Sequence, residues 1–256
     1  MTPALPRLMV APTGARRTRA DHPALPVTLA QIVACARACH AAGADGLHAH
    51  VRDAEGRHVL DAGLYRALLA ELASAAPGLA VQITTEAVGR YSPADQRRLV
   101  EAVRPAAVSV ALREIVQDMA EARRLHGFCQ DAGIALQHIL YDADDMDRLA
   151  ALVAGGDVPA HGLQVLHVLG RYVEGQVAQP ADLDAPLARQ DASGLAPDWA
   201  VCAFGAQETA CLATAARAGG KVRVGFENNF LNADGSRARD NAQRVAEVAA
   251  VLAALR

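Results

Sequence analysis

The chain has 256 residues, 52% of them hydrophobic, and 25 Lys and Arg against 28 Asp and Glu give a formal charge of −3. A chain of this length buries roughly three quarters of its extended surface, so it builds a full core. The charge balance lacks the basic field of a nucleic-acid binder, and 4% aromatic residues leave few platforms for stacking single strands.

Short apolar runs rich in Val, Ile and Leu alternate with longer amphipathic stretches. In chain order the pattern predicts a strand over Leu8–Ala11, a helix over Leu29–Ala42, a strand over Gly46–Val51 and a helix over Leu64–Ala76. Strand Leu79–Thr84, helix Pro93–Ala102, strand Ala107–Ala111 and helix Ile115–Asp131 follow. Then come strand Ile134–Leu140, helix Asp144–Ala154 and strand Leu163–Leu169. Arg171–Pro197 is weakly periodic and reads as mostly loop with some helix. Strand Trp199–Ala203, helix Gln207–Ala218, strand Val222–Phe226 and helix Asn241–Leu255 complete the chain.

Strand alternating with helix implies a parallel sheet, and about eight such units in ~250 residues predict a closed (β/α)8 TIM barrel. The expected organisation is one domain over residues 1–256, with a metal site at the C-terminal face of the strands. A doubly wound open sheet is the rival, but no Gly-x-Gly-x-x-Gly follows the first strand.

Five cysteines without Cys-x-x-Cys spacing fit a reducing compartment. The first residues lack a basic region followed by a long apolar stretch, and no run reaches the ~18 apolar residues of a membrane span. A cytoplasmic protein with no membrane or nucleic-acid partner is expected. The sole lysine, Lys221, falls at the start of the eighth strand, on the rim opposite barrel chemistry, which argues against an imine-forming aldolase.

The sharpest chemical signal is His48-Ala49-His50 on the second strand. Alternate strand residues share a face, so the two imidazoles project together. They are either hydrogen-bonded core residues or two ligands of a metal. The eighth strand ends Arg223-Val224-Gly225-Phe226-Glu227-Asn228. In a closed barrel strands eight and two both flank strand one, so Glu227 reaches His48 and His50 over the mouth. Such a set suits Zn²⁺ or another divalent first-row ion; otherwise Glu227 is an exposed loop carboxylate.

Other polar groups gather at strand ends. The loop after the first strand, with Thr13, Arg16, Arg17 and Arg19, is either a solvated loop or a receptor for a carboxylate or phosphate. The third strand ends with Gln82, Thr84, Thr85 and Glu86; the fourth leads to Arg113 and Glu114, which taken alone read as a surface ion pair. His167 reads as a satisfied core residue.

With these residues in view, the sequence resembles the β-keto acid cleavage enzymes, whose best-known activity cleaves 3-keto-5-aminohexanoate. The resemblance rests on Ala11-Pro12-Thr13-Gly14-Ala15, Ala20-Asp21-His22-Pro23, and the His48-x-His50-x-Arg52-Asp53 of the second strand. Gln82-Ile83-Thr84-Thr85 and Gly225-Phe226-Glu227-Asn228-Asn229 complete it. It implies a zinc-dependent (β/α) barrel, usually a homotetramer. It further implies that a β-keto acid and acetyl-CoA give acetoacetate and a new acyl-CoA. By similarity His48, His50 and Glu227 hold zinc, Arg223 is the catalytic arginine and Thr84 lies in the substrate pocket.

Three positions depart from the family pattern. Asn228 stands where an aspartate regarded as the base is common. Arg16 stands where the aminohexanoate-cleaving members have a substrate-binding glutamate, and Glu114 where they have a pocket threonine. Arg16 suits a carboxylate or neutral polar tail rather than an ammonium, so the aminohexanoate is not the expected substrate. Glu114 either pairs with Arg16 or replaces the missing base; failing Glu114, Glu86 does.

The reading is therefore a zinc-dependent Claisen and retro-Claisen enzyme, with Arg223, Glu114 and Glu86 as catalytic residues. Thr13, Arg16, Thr84, Thr85, Arg113 and Asn228 are the expected substrate contacts. Zinc in such a site acidifies the α-methylene as a Lewis acid. The alternatives are a CoA-independent metal aldolase or hydrolase, and a non-catalytic metal- or ligand-binding homologue.

Overall fold

A computed structural model describes residues 3–170 and 177–255. Its eight strands are β1 (Leu8–Val10), β2 (Gly46–Ala49), β3 (Ala80–Thr84), β4 (Ala107–Ala111), β5 (Ala135–Leu140), β6 (Gln164–Leu169), β7 (Asp198–Ala203) and β8 (Lys221–Val224). All pair in parallel and in sequence order, and β8 closes the barrel on β1. A parallel strand under a helix layer is covered on both faces, and so β5 and β6 are buried at every position. This is the expected (β/α)8 barrel.

The outer layer comprises α1 (Leu29–Ala41), α2 (Ala62–Ala75), α3 (Pro93–Val103), α4 (Leu112–Ile115), α5 (Met119–Ala132), α6 (Ala143–Ala154), α7 (Asp184–Ala192), α8 (Glu208–Arg217) and α9 (Asn241–Ala254). Thr28, Ser92, Asp61, Asp118, Asp142 and Asp240 cap six of them by accepting first-turn N–H groups. Among the described residues no helix is long and apolar enough to cross a membrane.

Two stretches differ from expectation. The helix expected over Ile115–Asp131 is split, because Asp118 accepts from Ala120 and Glu121 and starts α5 afresh behind the single turn of α4. The stretch expected as mostly loop holds a 3-10 turn (Pro180–Leu183) running into α7; residues 171–176 lie outside the described residues. The helical period is faint there because α7 buries Pro186 and Gln190 rather than an apolar stripe, and Gln190 meets the ring of His167 at 3.0 Å.

The N-terminal end of the barrel is plugged. Leu5 donates its N–H to Asp198 at 2.8 Å, and Gln164 donates to the Pro3 carbonyl at 2.7 Å. Gly46 makes room for the plug: a β-carbon there would fall 2.5 Å from Pro6 Cγ. Lys221 pairs with Asp198 at this closed end. The open end is the C-terminal one.

Candidate metal centre and active-site cavity

Two turns bring the donor atoms together. At the end of β8, Gly225 adopts φ 145°, and a β-carbon there would strike the Ala11 carbonyl oxygen at 2.4 Å. The close approach lets Glu227 donate its N–H to Ala11 O at 3.1 Å, which hangs the carboxylate over β1. Asn241, the first residue of α9, accepts from the Phe226 N–H at 2.9 Å and donates to Pro12 O at 3.2 Å, tying both loops to one side chain.

His48, His50 and Glu227 therefore meet, all three buried. The two Nε2 atoms are 3.2 Å apart and lie 3.8 and 3.5 Å from Glu227 Oε2. Around a tetrahedral ion with bonds of about 2.0–2.1 Å, ligand atoms sit about 3.3–3.4 Å from one another. The donor set and its spacing fit a divalent ion with one further position open. The other ring nitrogens are engaged: His48 Nδ1 meets Gln82 Oε1 at 2.8 Å, and His50 Nδ1 meets His58 Nδ1 at 3.3 Å.

Burial, reinforced by the nearby Arg223 charge, pushes His48 down to about 3, and burial likewise pushes His58 to about 3. Both rings are neutral at physiological pH. Burial opposes the Glu227 charge, yet the Arg223 guanidinium holds this carboxyl well below its ordinary range. Arg223 donates to Glu227 Oε1 at 3.1 Å.

The cluster opens into a cavity of about 270 Å³. Arg16, Thr84, Glu86, Arg113, Glu114 and Arg223 form its polar wall; Ala111, Ile139, Tyr141, Val168 and Phe204 form its apolar wall. Glu86 Oε2 lies 4.0 Å from His50 Nε2, and burial raises the Glu86 carboxyl. Glu114 accepts from the Ala87 N–H at 3.0 Å and from Gln96 at 2.9 Å through the same oxygen. Burial lifts the Glu114 carboxyl to about 7, while the Arg16 charge pulls against that rise.

One expectation needs correction, and three expected substrate contacts lie outside the residues that line the cavity. Arg113 and Glu114 do not pair with each other: Arg113 reaches Asp142 and Asp145 at 2.9 and 2.6 Å and lies over the Tyr141 ring. Thr13 lies outside the cavity lining, since its hydroxyl donates to Pro26 O. Thr85 likewise spends its hydroxyl on Ser109 O. Asn228 is buried outside the lining, and among the described residues neither polar atom of its side chain has a hydrogen-bond partner. Thr13 and Thr85 thus lie beside the strand ends with their hydroxyls spent on backbone carbonyls.

Sequence reasoning named Gln82 without giving it a role, and passed over His58 and the buried pair behind Glu227. There Glu208 accepts from the Gly225 N–H, from Asn229 and, at 2.8 Å, from Arg244, with both charged side chains fully buried. The register pairing of Gln82 with His48 was available as a signal for Gln82 once strand order was known. Nothing in the spacing of His58 marks it.

A parallel barrel with a His/His/Glu cluster at the C-terminal mouth defines a class of metal-site barrel proteins. Residues 7–256 match the β-keto acid cleavage enzyme family, and the chain belongs to it. The chain is 25% identical over 246 residues to the 3-keto-5-aminohexanoate cleavage enzyme of Acetoanaerobium sticklandii, covering 92% of this chain and 87% of that one. Among solved structures, ObcA in ternary complex with a C4-CoA adduct and oxalate superposes with TM-score 0.69 at 16% identity, over 91% of this chain. The chain spans only 64% of the ObcA chain. A type I 3-dehydroquinate dehydratase from Clostridium difficile superposes with TM-score 0.66 at 12% identity, over 99% of this chain and 93% of that one. These structural likenesses show the fold.

Proposed function

We propose that this protein exchanges acyl groups between a β-keto acid and acetyl-CoA, giving acetoacetate and a new acyl-CoA. The observation that carries the reading is the convergence of His48, His50 and Glu227 with Arg223 and Glu86 in one cavity of a family member. His48, His50 and Glu227 would hold a zinc ion, which would supply Lewis-acid polarisation of the keto oxygen.

The chain's own groups do the rest. Glu86, not Asn228, takes the proton from the carbon between the keto and carboxylate groups. Its carboxylate faces the cavity within 4.0 Å of His50, and its raised proton affinity suits a base near neutral pH. Asn228 has no basic lone pair to offer. Glu114 becomes a supporting carboxylate, since Ala87 and Gln96 hold one of its oxygens. Arg223 faces the oxygen on which negative charge develops, in a site largely shielded from water.

The deprotonated carbon forms the one new carbon–carbon bond at the thioester carbonyl carbon of acetyl-CoA, and the carbon–sulfur bond breaks to release the CoA thiolate. That thiolate then attacks the original ketone, and cleavage frees acetoacetate. Arg16 receives the tail of the keto acid as a carboxylate or neutral polar group. The ObcA complex with a C4-CoA adduct and oxalate supports CoA chemistry on this scaffold.

The test is acetoacetate formation from β-keto acids of different tails, with and without acetyl-CoA, on zinc-loaded protein. CoA-dependent turnover that favours anionic or neutral polar tails supports the reading. Turnover without CoA moves it to an aldolase or hydrolase, and zinc binding without turnover moves it to a ligand-binding homologue.

A further inference from the structure

We propose that two hydrogen-bond relays, each started by a backbone carbonyl, fix His48 and His50 as Nδ1–H tautomers, with Gln82, Gln137 and His58 as positioning residues. The inference deepens the metal reading of the same site and rests on it for its purpose, though not for its geometry.

The first relay crosses the barrel interior. Val165 O can only accept, so the Gln137 amide turns its Nε2 toward it, at 3.2 Å. The Gln137 Oε1 is then the group facing β3, where it accepts from Gln82 Nε2 at 3.0 Å. That leaves Gln82 Oε1 toward His48 Nδ1 at 2.8 Å. An amide oxygen only accepts, so the hydrogen must sit on His48 Nδ1 and the lone pair on Nε2. Flipping Gln137 would oppose like groups at two buried contacts, and flipping Gln82 alone would oppose its oxygen to Gln137 Oε1, each such contact costing about 1–3 kcal/mol. All three side chains are buried, so water does not offer an alternative partner.

The second relay runs along the rim. Glu86 O accepts from His58 Nε2 at 3.0 Å, which places the hydrogen of the neutral ring on Nε2 and the lone pair on Nδ1. His50 Nδ1 faces that lone pair at 3.3 Å and has to donate to it. His50 Nε2 is therefore bare as well. The two bare Nε2 atoms and Glu227 Oε2 converge within 3.8 Å of one another, so that a cation among them would take an electron pair from each. The second relay also couples two functions, because the backbone that orients His50 belongs to Glu86, whose carboxylate lines the cavity.

Long-range ¹H–¹⁵N spectra of the imidazoles in the chelator-stripped full chain test the tautomers directly. His48 and His50 are expected as Nδ1–H and His58 as Nε2–H; an Nε2–H signal at His48 or His50 overturns the proposal. Zinc affinity by chelator competition tests the consequence. His58→Leu and Gln82→Leu are expected to weaken zinc binding 10- to 100-fold. His58→Asn and Gln82→Glu, which keep an acceptor for the metal ligand, recover most of it. Leu variants with wild-type affinity, or Asn and Glu variants no better than Leu at equal melting temperature, overturn it. Wild-type protein with the expected tautomers but no zinc binding upholds the relays and overturns the metal reading.

Discussion

Gly14 lies against the metal-ligating carboxylate candidate: a β-carbon on it would come within 2.7 Å of Glu227 Cγ. Gly14 holds φ 63°, and Arg52 donates to its carbonyl at 2.5 Å and to Arg17 O at 3.0 Å. The arginine two residues beyond His50 thus clamps the loop that crosses over Glu227.

Gly14→Ala is expected to lose by both routes, backbone strain and displacement of Glu227. Zinc content after dialysis falls well below one per chain, and stability falls by about 1–2 kcal/mol. Metal analysis alongside denaturant unfolding checks both.

The pair behind Glu227 gives a second outcome. Removing one partner of a buried ion pair leaves a lone buried charge and costs roughly 3–5 kcal/mol. Arg244→Met is expected to lose that much in denaturant unfolding and to release the Gly225 and Asn229 contacts of Glu208. Glu208→Gln/Arg244→Met together is expected to recover part of the loss.

Glu114 gives stability a pH dependence with a fixed sign. Its carboxyl titrates near 4.5 ordinarily and at about 7 in the fold, because burial disfavours the charge. Between these values the native state keeps a proton that the unfolded chain has released, so this group's contribution falls as pH rises from 4.5 and levels off above about 7. Melting temperatures at pH 5 and pH 8 are expected to differ less in Glu114→Gln than in the parent. The amide retains an oxygen for Ala87 and Gln96.

Arg16 lines the cavity, and its proposed role as the receptor of the substrate tail sets a further expectation. Arg16→Glu is expected to cut kcat/KM for a β-keto acid with an anionic tail by 100-fold or more, while raising it for an ammonium tail. A single kinetic series with matched tails checks this.

Glu86→Gln keeps the size and one oxygen of the carboxylate but removes the proton acceptor. Acetoacetate formation is expected to fall 10²- to 10⁴-fold, a general-base loss, with zinc content unchanged. Metal analysis of the same sample separates the two readouts.

The barrel was legible in the sequence because its period is coarse: eight apolar runs, each followed by a helix stretch, survive errors of a few residues. His48 and Glu227 were legible for a related reason, since strand order alone brings β2 and β8 to either side of β1. The hydroxyl partners of Thr13 and Thr85 were not legible, because sequence tells which residues end a strand, not which way a side chain turns once the backbone leaves it. Glu208 and Arg244 were invisible for the converse reason. They look like ordinary charged helix residues, and only tertiary packing buries them behind the loop.

The three metal-ligand candidates come from opposite ends of the chain and straddle β1, a strand of only three residues. On a ribosome the histidine pair is made early and stays an incomplete chelate until Glu227 emerges. The full ligand set therefore exists only once β8 has closed on β1, and an ion held by all three would act as a rivet across the shortest strand of the barrel.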